Sequence, residues 1–285
     1  MTPIPTDPFN RAFEHPAFIS YIVAGDPSPS ASIEMARALI DGGAGIIELG
    51  FPFSDPVGDG PVIQRADTRS LHAGFAPGAI FEIAAGIKHH ADIPVVIMTY
   101  LNPVLAAGID DFYKRARGAG VDGILIVDMP VEEAGLVAGA ARRHDLAQIF
   151  LVSTNTSDRR IAAILNASAE INGRTDARGA TVQKGFVYLI SSPGVTGTRK
   201  RIAESAFDLI AKVRTIGEER GIRPALAVGF GIANRRQAQD IISAGADGFV
   251  VGSAIVQIIE DYSGDRALLM NRLREFAEEM TGKGT

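Results

Sequence analysis

Two carboxylates eleven residues apart, Glu48 and Asp59, are the side chains of this sequence best placed to do chemistry. Glu48 interrupts the apolar run Ile46-Ile47-Glu48-Leu49-Gly50, and Asp59 follows across the Gly/Pro-rich segment Phe51-Pro52-Phe53-Ser54-Asp55-Pro56-Val57-Gly58. Side chains alternate along a strand, so Glu48 shares a face with Ile46, where an ionised group is costly unless it is partnered or functional. Glu48 is therefore expected to take part in a reaction rather than in packing. Other chemistries have less support. There is no cysteine, hence no thiol nucleophile, thiolate metal site or disulfide. The five histidines, His15, His72, His89, His90 and His144, fall in helical or loop patterns, which gives a histidine base or a metal cluster no foundation.

The elements that must hold these groups are legible as alternating patterns. Apolar, β-branched runs of strand length occur at 17–25, 45–50, 94–100, 123–128, 147–153, 185–191, 224–230 and 248–255. Between them lie patterns of helical period such as 32–39, 131–143, 202–216, 237–244 and 267–280. Near-continuous apolar strands imply burial on both faces, and eight βα units predict an α/β fold, a single (β/α)8 TIM barrel over 1–285. An open doubly wound sheet is the alternative. It would place G-x-G-x-x-G after its first strand, where this chain has Gly25-Asp26-Pro27-Ser28-Pro29. Two departures from the rhythm are a short extra N-terminal helix within 5–14 and a polar, weakly periodic stretch at 170–184. The latter reads as an extended loop between helix 5 and strand 6, on the N-terminal face away from the chemistry.

Composition narrows the setting. With 285 residues and 46% hydrophobic content the chain can bury one large core. Its net charge of -5 argues against nucleic acid. No basic segment leads into an apolar run at the start, and no stretch approaches a membrane span, so a cytoplasmic protein with no membrane association is expected. Asn155-Thr156-Ser157 and Asn166-Ala167-Ser168 fit a glycosylation pattern by chance.

In a barrel the chemistry gathers at the C-terminal ends of the strands, which puts Glu48 and Asp59 on the catalytic rim. Tyr188, on one face with Phe186 and Ile190, is either a core tyrosine or a site residue, and its hydroxyl needs a partner. Asp128 ends the fourth strand and either caps the next helix or joins the site. Gly194-Val195-Thr196-Gly197, Gly229-Phe230-Gly231 and Gly252-Ser253-Ala254 follow successive strands, where exposed N–H groups and helix starts suit an anion such as phosphate.

These residues carry a resemblance. The run from Glu48 to Pro61, together with Ala24-Gly25-Asp26-Pro27, Met98-Thr99-Tyr100-Leu101-Asn102-Pro103, Asp128-Met129-Pro130-Val131-Glu132-Glu133 and the three glycine clusters, resembles the tryptophan synthase α-subunit family from end to end. The resemblance implies cofactor-free retro-aldol cleavage of indole-3-glycerol phosphate to indole and glyceraldehyde 3-phosphate in tryptophan biosynthesis, a carbon–carbon lyase reaction of the aldehyde-lyase type. It makes Glu48 the general acid/base and Asp59 the acceptor of the indole N–H. Glu48, among apolar side chains, is then expected to have a raised pKa, and Asp59 on its loop to stay ionised.

By the same likeness Tyr188 and Tyr21 line the substrate, Gly197, Gly231, Gly252 and Ser253 supply phosphate donors, and Thr196 sits on a closing lid. Asp55, Pro56, Asn102, Asp128 and Pro130 would face a pyridoxal-phosphate β subunit in an α2β2 heterotetramer. Departures from the family pattern are Ser191-Ser192-Pro193, where an arginine is common, and Ala233-Asn234 in place of small hydroxyl residues. Arg199-Lys200-Arg201 either steers phosphate or is a solvated helix start. A stand-alone lyase and a catalytically weak regulatory subunit are the rival readings. A Schiff-base aldolase on this fold lacks a lysine at a strand end.

Overall fold

The computed structural model describes residues 7–175, 181–190, 199–229 and 231–283. Its strands are β1 (Ala17–Val23), β2 (Ile46–Gly50), β3 (Val95–Thr99), β4 (Gly123–Ile126), β5 (Ala147–Ser153), β6 (Gly173–Thr175), β7 (Thr181–Gln183), β8 (Phe186–Ile190), β9 (Ala225–Gly229) and β10 (Gly248–Val251). All but β6 and β7 close one parallel barrel in the order β1, β2, β3, β4, β5, β8, β9, β10, with β10 returning to β1. The TIM barrel expected from the alternation is the fold observed, and the open sheet is excluded by the β1–β10 pairing.

Strand periodicity divides the apolar side chains into two cores. In β1, Ile19 points into the barrel with Ile46, Val96 and Leu125, while Phe18 and Ile22 point out against the helices. The inner core is closed from below by the short helix Pro8–Ala12, capped by Asp7, whose carboxylate accepts the Phe9 N–H at 2.9 Å. Phe9 and Phe13 both pack edge-on against Phe186, at 6.1 and 5.8 Å.

Two elements differ from the sequence reading. The run 248–255 is not one strand: β10 stops at Val251, and the apolar residues beyond Gly252 belong to the helix Ser253–Tyr262. The stretch 170–184 is not wholly loop. The helix Asp158–Asn172 runs into it, and β6 then pairs antiparallel with β7. This ribbon is tied to the barrel by buried polar groups. Asn172 accepts the Gln148 N–H at 2.8 Å and donates to the Gln148 carbonyl, and Gln183 donates to Ser168 Oγ at 2.6 Å. No helix among the described residues is long and apolar enough to cross a membrane.

Candidate active site

The inner wall changes character along its height. Each barrel strand sends into a cavity of about 640 Å³ the residue two positions beyond its apolar-layer member: Tyr21 after Ile19, Glu48 after Ile46, Met98 after Val96, Val127 after Leu125, Leu151 after Ile149, Tyr188 after Phe186, Gly229 after Ala227 and Gly252 after Val250. Period-2 alternation thus lifts the wall from a packed layer to a lined pocket at the C-terminal ends of the strands. Tyr21 and Tyr188 fit there because glycines face them. A Cβ at Gly229 would stand 2.6 Å from Tyr188 Oη, and one at Gly50 would run into Tyr21 Oη.

Glu48 is 1% exposed, and neither carboxyl oxygen has a hydrogen-bond partner among the described residues. Burial, with the nearby Asp59 charge adding to it, pushes its pKa up to about 8. At neutral pH Glu48 is therefore mostly a protonated acid facing an apolar pocket. Asp59 lines the same cavity, on the loop after β2. Its Oδ2 accepts the Tyr100 hydroxyl at 2.7 Å, and Tyr100 Oη in turn accepts the Gly58 N–H at 3.0 Å. Gln64 Nε2 donates to the Asp59 carbonyl at 2.8 Å, and the Phe53 ring stacks on Tyr100 at 4.9 Å. The loop position does not leave Asp59 an ordinary carboxylate: burial raises its pKa, and the Tyr100 hydrogen bond holds it back. Replacing Tyr100 with Phe is accordingly expected to raise the Asp59 pKa, read by carboxyl carbon NMR. A titration at or below the native one would mean that Tyr100 does not hold the charged form.

Two strands round the wall from β2, the helix Ser253–Tyr262 begins at Gly252 with no side-chain cap, and Ser253 and Ala254 border the cavity. Its unpaired first-turn N–H groups suit a phosphate or similar anion. Gly231, at φ +68, also lines the pocket. The Ala233 N–H is taken by Gln237 Oε1 at 2.8 Å, and Asn234 caps the helix Arg235–Ser243, so the substitution at 233–234 does not leave every backbone donor free.

The chain matches the family described as "Tryptophan synthase alpha chain" over residues 9–284. The tryptophan synthase alpha chain of Methanoregula boonei is 43% identical over 93% of this chain and 92% of its own length. That of Thermococcus kodakarensis is 42% identical over 87% and 90%. A solved structure of the tryptophan synthase α2β2 complex from Pyrococcus furiosus aligns with a TM-score of 0.81 and 38% identity, covering 93% of this chain and 98% of the other. This chain belongs to the tryptophan synthase alpha chain family.

Within this alpha-chain barrel the expected site residues come together to differing degrees. Glu48, Asp59, Tyr21, Tyr188, Gly231, Gly252 and Ser253 share one cavity. Thr196 and Gly197, with the altered Ser191-Ser192-Pro193 run, lie outside the described residues. Asp55, Asn102, Asp128 and Pro130 are exposed and Pro56 half-buried, all in segments that follow β2, β3 and β4 on the rim. Asp128 Oδ1 accepts the Leu101 N–H at 2.7 Å, so it caps the helix Leu101–Ala107 of the neighbouring βα unit. Arg199 to Arg201 open the helix Arg199–Glu218.

The sequence offers Tyr100 only as part of the Met98–Pro103 run and gives Asp67, a buried carboxyl on the helix Pro61–His72, no role. The signal for Asp67 was its helical spacing with Ile63 and Ser70, which puts an acid on the inward face.

Proposed function

We propose that this chain is the α subunit of a tryptophan synthase and cleaves indole-3-glycerol phosphate to indole and glyceraldehyde 3-phosphate, as a retro-aldol carbon–carbon lyase. The observation that carries the reading is the unpartnered Glu48 carboxyl, held largely protonated in an apolar cavity and faced by an Asp59 that Tyr100 fixes.

The chemistry asks for such a pair. Glu48, as its acid form, gives a proton to indole C3, which puts positive charge on the ring nitrogen. The Glu48 carboxylate left behind takes the proton from the hydroxyl on the adjacent side-chain carbon. That carbon becomes the aldehyde as its bond to C3 breaks, and the bonding electrons return to the ring. Glu48 ends protonated, so protons and electrons balance without a cofactor. Asp59, as carboxylate, accepts the indole N–H and stabilises the charge that develops there, a preorganised electrostatic role. Met98, Val127, Leu151 and Ile232 give the indole an apolar bed. Gly252, the Ser253 helix start and Gly231 receive the phosphate. Tyr21 and Tyr188 flank the ring.

We assign Asp55, Pro56, Asn102, Asp128 and Pro130 to the contact with a β subunit. Support comes from their common rim and from Val57, an apolar side chain 83% exposed between Pro56 and Gly58. Indole release from indole-3-glycerol phosphate, measured for the chain alone and with a tryptophan synthase β subunit, tests the reading. Weak activity that rises strongly with the partner is the expected result. High activity indifferent to the partner would make this a stand-alone lyase, and no activity in either case would overturn the assignment.

A further inference from the structure

The proposed mechanism leaves the buried carboxyl of Asp67 unused. Asp67 is 3% exposed, and its Oδ2 is buried without a hydrogen-bond partner among the described residues. It faces several elements at once. The Phe53 backbone N–H, on the loop after β2, favours its charged form, while the carboxylates of Asp59 on that loop and Asp26 after β1 oppose it. Tyr21 of β1 and Tyr100 after β3 lie within reach of its charge. Arg69, two residues along the same helix, is spent elsewhere: its guanidinium pairs with both Asp26 oxygens, at 3.0 and 2.7 Å, and with Glu260 at 3.0 Å. Burial and the two acidic neighbours push the Asp67 pKa up to about 8.

The contacts of Asp67 lead to Asp59 by a short path. The Phe53 backbone N–H that bears on Asp67 belongs to the residue whose ring stacks on Tyr100, and the Tyr100 hydroxyl is the hydrogen-bond donor to Asp59. An ionised Asp67 would set a second negative charge beside Asp59 and repel it. An uncharged one supports the loop without that repulsion.

We propose that Asp67 is a positioning residue for Asp59, a buried carboxyl that anchors the Phe53–Tyr100 support; this rests on the function proposed above. A 1 Å misplacement at a catalytic group can cost on the order of 10²-fold in rate. Asp67→Ala is therefore expected to lower kcat about tenfold or more while KM changes less than about threefold. Asp67→Asn keeps the shape and an acceptor for Phe53 N–H, and is expected to recover most of that loss. Its alkaline decline should also be shallower than that of the native chain, because Glu48 alone then titrates near pH 8, whereas the native chain gains the repelling charge of Asp67 in the same range.

A second readout does not use activity. In a Glu48→Gln background, which removes the other group titrating near pH 8, the Asp59 carboxyl carbon resonance should show a second inflection near that pH, lost when Asp67→Asn is added. Asp67→Ala within twofold of native, Asp67→Asn as impaired as Asp67→Ala, or an Asp59 titration indifferent to Asp67→Asn would each overturn the proposal. Should Asp67→Ala fail to fold, Asp67→Asn and the titration decide. Failure of the native chain to release indole would instead overturn the function, leaving the titration as a separate test of the coupling.

Discussion

Glu48→Gln is expected to lower indole release by about 10²- to 10⁴-fold and, unusually for a core substitution, to leave the folded state more stable at alkaline pH. The amide matches the carboxyl in shape but can neither deliver a proton to indole C3 nor take one from the hydroxyl. The stability effect follows from the raised pKa. Between the ordinary value of 4.5 and about 8 the unfolded chain loses the Glu48 proton while the folded chain keeps it. The folded state then binds more protons, so its stability falls as pH rises through that window. The penalty is complete above pH 8.

A difference of this size corresponds to roughly 5 kcal/mol. A buried, unpaired amide restores about 1–3 kcal/mol of cost, which leaves a net gain of about 2–4 kcal/mol for the variant at pH 9. At pH 4, where Glu48 is protonated in both states, the gain should vanish or reverse. Denaturant unfolding of both proteins at pH 4 and pH 9 measures it. A stability difference that does not grow with pH would mean that Glu48 is not held as a buried acid, and the proposed proton donor would go with it. Native activity should likewise decline as pH rises through about 8, because the acid form is the one that starts the reaction.

What was legible in the sequence was what depends on neighbours along the chain. Alternation in β2 was enough to put Glu48 inside, since Ile46 and Glu48 must share a face, and eight such runs with helical spacers were enough for the barrel. Contacts between distant segments were not legible. Tyr100 meets Asp59 across 41 residues, and Asp128 caps a helix that begins 27 residues earlier, so neither pairing leaves a local pattern. The end of β10 was blurred because strand and following helix are both apolar across Gly252, and only the change of period separates them. The β6–β7 ribbon escaped notice for the opposite reason. Its strands are short and polar, and the tie of Gln183 to Ser168 of the preceding helix spans 15 residues.

Asp59→Asn is expected to reduce kcat by about 10²- to 10³-fold, the usual loss when one preorganised electrostatic group is removed from a developing charge. The substitution isolates charge from geometry. The amide oxygen that replaces the carboxylate can still accept the Tyr100 hydroxyl, so the Phe53–Tyr100 support and the loop should stay in place. What is lost is the negative charge opposite the indole nitrogen. The same change acts on Glu48 in the opposite sense. Asp59 is the second cause, after burial, of the raised Glu48 pKa, so its neutralisation should lower that pKa. Glu48 would then lose its proton earlier, and the residual activity of the variant should fall off at a lower pH than native activity does. Measuring kcat across pH for both proteins reads the two effects separately, one as the height of the profile and the other as the position of its alkaline limb. A reduced height with an unmoved limb would place Asp59 on the substrate but outside the field of Glu48. A moved limb at native height would make it a neighbour of the acid with no part in stabilising the indole, and only the combination fits one site in which the two carboxylates divide the work.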